Sequence, residues 1–348
     1  MSNKDVKHSA KAAALTKIRS KSQKELSTEE ISARIIKGDK TVLSEAITLL
    51  ESTNGKHRNL ASEIIELCLP HSGNSFRLGI TGVPGVGKST FIESFGNLVL
   101  GAGKKLAVLA IDPSSQKTKG SILGDKTRMQ TLISKDEVFI RPSPTSESLG
   151  GVARSTREAI ILCEAAGYDF IIVETVGVGQ SETEVSSMVD FFLLLMLSGA
   201  GDELQGIKRG IMEMADALVI TKADGDNAKT AKRAMAEYRN AIHLLPPAPH
   251  LFPVKTLTCS ALDNTGLNEI YELLEEFLTH TNDSRYFQAH RAQQNVHWFN
   301  AHLKTEVLGR FFKEAGIKEK LQALTSEVAN GSISPFSAVE KLISSSLL

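Results

Sequence analysis

The run Gly82-Val-Pro-Gly-Val-Gly-Lys-Ser89 follows an apolar stretch, 76–81, and opens a helical pattern, 88–100. It matches G-x-x-x-x-G-K-[ST] in the strand–loop–helix context that this pattern requires. Glycines at 82, 85 and 87 let the backbone bend until its N–H groups converge on phosphate oxygens. The helix that follows adds the positive end of its dipole. Lys88 is expected to set a point charge between the β- and γ-phosphates, and Ser89 to offer its hydroxyl to Mg²⁺. Gly82, Val83, Pro84, Gly85, Val86, Gly87, Lys88, Ser89 and Thr90 form the expected phosphate cradle.

Outward from this loop, apolar runs at 76–81, 105–111, 137–141, 168–175, 189–197, 215–221 and 251–259 read as buried strands. Helical patterns lie between most of them, including 88–100, 151–166 and 226–243. The alternation predicts an α/β fold of the P-loop NTPase type, with a mostly parallel sheet of about seven strands and helices on both faces. Strand texture stops near Ala261, and the rest reads as helices at 266–280, 284–314, 316–328 and 335–346. Upstream, helical patterns run from Thr28 to Lys37, Lys40 to Leu50 and His57 to Leu69. Ser27 and Glu30 have capping-box spacing ahead of the first. The Pro70–Ser75 stretch breaks the pattern. The expected organisation is a mobile basic tail (1–24), an N-terminal helical extension (25–72), a nucleotide domain (73–282) and a C-terminal helical region (283–348).

Hard oxygen ligands for Mg²⁺ are expected near Ser89. Asp112 and Glu174 end two strands at the sheet's carboxyl edge, where ligands bind in such folds. Asp125 is a further candidate on spacing alone, with N-cap duty as its alternative. Glu174-Thr-Val-Gly177 has the shape of a D-x-x-G switch with Glu for Asp, and the Gly177 N–H would sense the γ-phosphate. Whether Gln180 orients water is left open by its spacing.

Thr221-Lys-Ala-Asp224 follows the apolar run 215–220 and matches the [NT]-K-x-D guanine signature. Guanine offers N1–H and N2–H₂ as adjacent donors, so a carboxylate makes a bidentate, charge-assisted pair with it. Adenine would leave that carboxylate unpaired. Lys222 can lay its aliphatic stem over the base. Ser260, Ala261 and Leu262, at the next strand end, would meet guanine O6 through backbone N–H groups. GTP and GDP with Mg²⁺ are therefore the expected ligands.

Composition sets the remaining bounds. The 348 residues are 41% hydrophobic and 23% charged, with formal net charge zero, so no global field points to nucleic acid. The run Phe191–Leu197 falls far short of the ~20 apolar residues of a membrane helix, and no membrane association is expected. Cys68, Cys163 and Cys259 form no CxxC pair and read as buried inert thiols. A cytoplasmic setting fits these features, or the mitochondrial matrix for a eukaryotic source.

Several long segments carry a family resemblance: Gly79–Thr90, Ala110–Ser115, Gly120–Met129, Ile140–Ser143, Leu149–Arg154, Val173–Glu182 and Gly199–Lys208. Over roughly residues 40 to 330 the chain resembles the MeaB/ArgK GTPases, whose human relative is MMAA. The resemblance implies a homodimer that binds methylmalonyl-CoA mutase, gates adenosylcobalamin delivery with GTP and protects the mutase from inactivation. It implies slow GTP hydrolysis that the partner accelerates. It places Asp112 and Asp125 near Mg²⁺ or in the first switch and Glu174 in the second. It makes 199–208 a third switch in which Gln205 and Lys208 activate hydrolysis, and the C-terminal helices a dimerisation arm. Two positions depart from the family pattern: Thr221 stands where Asn is usual, and Ser198 where Pro is usual. A nickel metallochaperone GTPase would share the fold but carry Cys/His clusters. His290 and His297, seven apart on one helical pattern, read as surface or interface residues. A kinase of basic amino-acid transport would need a phosphoacceptor site, for which the sequence offers no candidate.

Overall fold

Ile171, Ile172 and Val173 are all buried, and so is every residue from Phe191 to Met196, so these strands are covered on both faces. The computed structural model describes residues 26–52, 54–112, 129–144, 149–175, 181–199 and 209–344. In it the apolar runs form β1 (Phe76–Gly82), β2 (Leu106–Asp112), β3 (Val138–Pro144), β4 (Phe170–Thr175), β5 (Phe191–Met196), β6 (Ala217–Ile220) and β7 (Lys255–Thr258). They pair in the order β3-β2-β4-β1-β5-β6-β7, parallel at every step. β1 is thus interior, and the loop after Gly82 leaves the sheet between the strands that carry Glu174 and Leu195.

The helices of this part are α1 (Thr28–Ile36), α2 (Lys40–Leu50), α3 (Gly55–Cys68), α4 (Lys88–Gly101), α5 (Gln130–Ile133), α6 (Leu149–Ala165), α7 (Ser181–Ser186), α8 (Arg209–Met214), α9 (Ala228–Ile242) and α10 (Leu267–Asp283). Strand side chains alternate between faces. On one face, Gly96 of α4 packs so closely that a Cβ would lie 2.8 Å from Leu106 and 2.9 Å from Leu132, and Phe95 meets Phe170 with ring centroids 6.2 Å apart. On the other, a Cβ at Gly79 would lie 2.8 Å from Phe192, 2.9 Å from Val189 and 3.1 Å from Val185. Helices therefore cover both faces, as the alternation of patterns predicts.

The capping box at Ser27 forms: its hydroxyl accepts from the Glu30 N–H, and Glu30 accepts from the Ser27 N–H. Helices α1 to α3 pack against α6. Arg141 on the edge strand β3 reaches α2 by donating to Glu51 at 2.5 Å and Ser44 at 3.3 Å. Buried Glu164 of α6 accepts from Arg77 of β1 (2.9 Å) and from Ser75 (2.5 Å), tying the sheet to that layer.

The last strand is shorter than its apolar run, 251–259. Leu251 sits at φ +58°, outside the β region, and Pro253 has no N–H for a ladder, so pairing begins only at Lys255. α3 starts earlier than the sequence pattern, at Gly55, because Asn54 caps it through Lys56 N–H.

Described residues up to Ser284 make one compact unit, and those from Arg285 make a second. The second consists of α11 (Tyr286–Phe311), α12 (Ile317–Ala329) and α13 (Pro335–Ser344). On α11, Val296, Phe299, Leu303 and Val307 recur at helical spacing and are exposed. His290 lies between Tyr286 (3.2 Å) and Gln294 (3.0 Å) on its own helix. Among the described residues, no helix is long and apolar enough to cross a membrane.

Candidate nucleotide site

The phosphate loop is shaped by its glycines. Gly82, Gly85 and Gly87 have φ of +152°, +81° and +96°. A Cβ at Gly82 would lie 2.5 Å from the Leu195 carbonyl oxygen, so no side chain fits there. Gly87 is the N-cap of α4, and Lys88 is its first residue. The Lys88 ammonium is buried and donates to the loop's own carbonyls, Gly82 at 2.6 Å and Val83 at 3.4 Å. Burial lowers its pKa, while the charges of Glu174 and Glu182 act in the opposite direction. A cation held in a low-dielectric pocket beside a glycine-bent main-chain loop is chemistry that suits a polyphosphate. Ser89 is half-buried and Thr90 exposed at the mouth.

The acids expected near Mg²⁺ are only partly described. Glu174 is buried on β4, level with Ala110 of β2 and Ile80 of β1. Asp112 ends β2 two residues beyond that level, at the same carboxyl edge. These backbone positions bring two hard-oxygen residue types to the edge where the phosphate loop emerges and leads to Ser89 in the first turn of α4, which fits a magnesium site. Asp125, Gly177, Gln180, Gln205 and Lys208 lie outside the described residues. Among those described, no cluster of three or more His, Cys, Asp or Glu could hold a metal.

The base motif grows from the end of β6. The Thr221 hydroxyl donates to the Val86 carbonyl at 2.7 Å and to the Met196 carbonyl at 3.2 Å, which binds this motif directly to the phosphate loop. Lys222 has φ +56°, and its Cε passes 3.9 Å from where a Gly87 Cβ would stand, so its stem lies along the phosphate loop. Asp224 accepts from the buried Ser260 hydroxyl at 2.6 Å, which turns its carboxylate toward the loop after β7. That loop is closed by reciprocal Ser260–Thr265 backbone bonds of 3.0 and 3.1 Å. Gly266, at φ +75°, caps α10 where any Cβ would run into the Thr258 carbonyl. Ser94 of α4 donates to the Ala261 carbonyl at 2.7 Å, and Leu262 is exposed beside it.

The structure therefore brings Gly82–Thr90, Thr221–Asp224 and Ser260–Leu262 together at the carboxyl edge. The sequence assigns no role to Ser94, Asn227 or Glu182, and Ser198 stands out in it only as a departure from the family pattern. Ser94, Ser198 and Asn227 act through side-chain contacts between distant segments, which no local pattern signals. Glu182 ends the segment Val173–Glu182, yet only the structure buries it and brings its charge to bear on Lys88. All three cysteines are free and buried. Burial, with a smaller push from Asp224, raises the Cys259 thiol to about 12, so it is inert beside the site.

A family model described as "Methylmalonyl Co-A mutase-associated GTPase MeaB" matches residues 43–316. The chain is 45% identical over 309 residues to GTPase ArgK of Escherichia coli (strain K12), which covers 89% of this chain and 93% of that protein. It is 44% identical over 319 residues to the mitochondrial methylmalonic aciduria type A homolog of Mus musculus, across 89% of this chain and 77% of that one. A solved structure described as a LAO/AO transport system kinase superposes with a TM-score of 0.74 at 38% identity, covering 92% of this chain and 98% of its own. The extent of the family match, together with these identities, makes the chain a P-loop GTPase that belongs to the MeaB family.

Proposed function

We propose that this GTPase assists an adenosylcobalamin-dependent methylmalonyl-CoA mutase, using GTP to gate cofactor loading and to protect the loaded enzyme. The observation that carries the nucleotide half is the Thr221 hydroxyl bond to the Val86 carbonyl. It makes one rigid unit of a loop suited to phosphates and a carboxylate suited to guanine. The family description, which names methylmalonyl-CoA mutase, supports the partner half.

In this reading the main-chain N–H groups of 82–90, Pro84 having none, hold the phosphates, and Lys88 leaves the Gly82 and Val83 carbonyls for the β- and γ-oxygens. Asp224 pairs with the guanine N1–H and N2–H₂, Lys222 covers the ring, and the Ser260–Leu262 backbone faces O6. Ser89, Asp112, Asp125 and Glu174 would hold Mg²⁺, which when bound neutralises charge on the β- and γ-phosphates. Water attacks the γ-phosphorus, the bond to the β–γ bridging oxygen breaks, and GDP and phosphate leave. Gly177 would report loss of the γ-phosphate, and Gln205 and Lys208 would act when the mutase docks. A cytoplasmic location fits the bacterial relatives, and a matrix location fits the mitochondrial ones.

A homodimer completes the proposal. Its support is the exposed Val296, Phe299, Leu303 and Val307 stripe on α11, an apolar surface that a second copy would cover. Removing residues from 284 onward should convert a dimer to a monomer by light scattering; a truncated protein that stays dimeric would reject this arm. The mutase reading is tested by GTP turnover with and without purified methylmalonyl-CoA mutase. Acceleration by roughly tenfold or more is expected, together with co-elution. Unchanged turnover with no co-elution would reject it.

A further inference from the structure

Lys222 is one of four non-glycine residues with positive φ among those described, and it stands in the middle of the base motif. A lysine holds that conformation only where its surroundings fix it. Two of the restraints come from neighbouring strands: Thr221 N–H donates to Met196 O at 2.9 Å, and Ala223 N–H to Cys259 O at 3.0 Å. The third is a side chain. The Asn227 amide donates to the Lys222 carbonyl at 2.6 Å. The Asn227 main-chain N–H also donates to the Asp224 carbonyl at 3.0 Å, so one residue spans the motif from Lys222 to Asp224.

The other end of the same amide is engaged as well. Ser198 donates its hydroxyl to Asn227 Oδ1 at 2.6 Å. This fixes the amide's orientation, because a flipped amide would set its oxygen against the Lys222 carbonyl oxygen. Ser198 lies two residues past β5. The same strand end supplies the Met196 carbonyl that Thr221 bonds and the Leu195 carbonyl that leaves Gly82 no room for a side chain. The end of β5 thus touches both the phosphate loop and the base motif.

We propose that Asn227, oriented by Ser198, is a positioning residue for guanine recognition, holding Lys222 and Asp224 in register with the ring. The proposal deepens the reading of 221–224 as the guanine site and rests on it. In this proposal Asn227 acts on the base only through the Lys222 and Asp224 backbone.

The test compares GDP with IDP, which lacks the 2-amino group and so gives Asp224 one donor instead of two. Asn227→Ala should weaken GDP about tenfold and IDP less, so the GDP-to-IDP affinity ratio falls while the melting temperature changes little. Parent-like GDP affinity, or equal losses for both nucleotides, would overturn the proposal. Should Asn227→Ala not fold by circular dichroism, Ser198→Ala carries the test. It should weaken GDP about threefold with the same ratio change, and Ser198→Thr, which keeps the hydroxyl, should restore both. A silent Ser198→Ala overturns the link to β5. Asp224→Ala is the control and should erase the GDP–IDP difference. A difference that persists there overturns the guanine-site reading itself, and the proposal with it, a failure distinct from that of Asn227 alone.

Discussion

The phosphate loop and the base motif sit at one edge of the sheet, yet they are built by opposite means. The phosphate loop is a main-chain object: three glycines at positive φ, with a neighbouring carbonyl so near Gly82 that no Cβ fits. The base motif is a side-chain object. Thr221 reaches Val86 and Met196, Ser260 reaches Asp224, and Asn227 reaches Lys222, each from a segment remote from its partner or on another turn of chain. A backbone-made site binds whatever carries phosphates, because main-chain N–H groups do not distinguish bases. Discrimination has to come from the side-chain half. The hydroxyl of Thr221 is where the two halves join.

Substitution can separate the two halves. Lys88→Ala should have the largest effect, since it removes the buried cation from the loop. A loss of about 100-fold or more in affinity for GTP and ATP alike is expected from charge-assisted bonds of ~1.5–3 kcal/mol each. Calorimetry checks it, and undiminished GTP binding or turnover would reject the phosphate-loop assignment. Asp224→Asn should weaken GTP by about 30-fold, the loss of one charged bidentate partner, and should raise XTP relative to GTP because xanthine offers an acceptor at position 2. An XTP-to-GTP ratio equal to that of the parent would remove Asp224 from the base site. The contrast between these two variants, one blind to the base and one not, is the sharpest form of the comparison.

The same contrast governs what could be read from sequence. The order of glycines, Lys88 and Ser89 was enough to place the phosphate loop, because a backbone-made site leaves a local pattern. The strands were legible as apolar runs because a parallel sheet buried on both faces needs no polar alternation, as Phe191–Met196 shows. Strand order was not legible, since the pairing of β1 with β4 and β5 depends on contacts between segments about 90 or more residues apart. The start of β7 was misjudged by the apolar run because Leu251 takes a left-handed conformation. Short helices such as α5 and α7 carry too few residues for a period to show. Arg141, within the family segment Ile140–Ser143, anchors α2 through Glu51, a contact no local pattern signals. The polar ties around the base motif were invisible for the same reason: Ser94, Ser198 and Asn227 gain their roles only when the chain brings Ala261 and Lys222 to them.

Two smaller perturbations test the join. Thr221→Val keeps the side chain's shape but removes its hydroxyl, leaving the buried Val86 and Met196 carbonyls without that donor. The expected cost is ~1–2 kcal/mol, seen as a lower melting temperature and about tenfold weaker GTP binding, with little change in the preference for GTP over XTP. A melting temperature and affinity equal to the parent's would mean that the two halves are held together elsewhere. Ser94→Ala should do least. Its hydroxyl donates to the Ala261 carbonyl from α4, so it joins the helix that begins with Lys88 to the loop proposed to meet guanine O6. The serine is partly buried, and solvent can replace the lost donor, so ~0.5–1 kcal/mol and about a threefold faster GDP release by stopped-flow are expected. Because α4 also packs on α10 through Phe95 and Tyr271, whose ring centroids are 6.4 Å apart, the fold itself should be unaffected. If Ser94→Ala instead matches Thr221→Val in size, the helix rather than β6 is the principal link between phosphate and base.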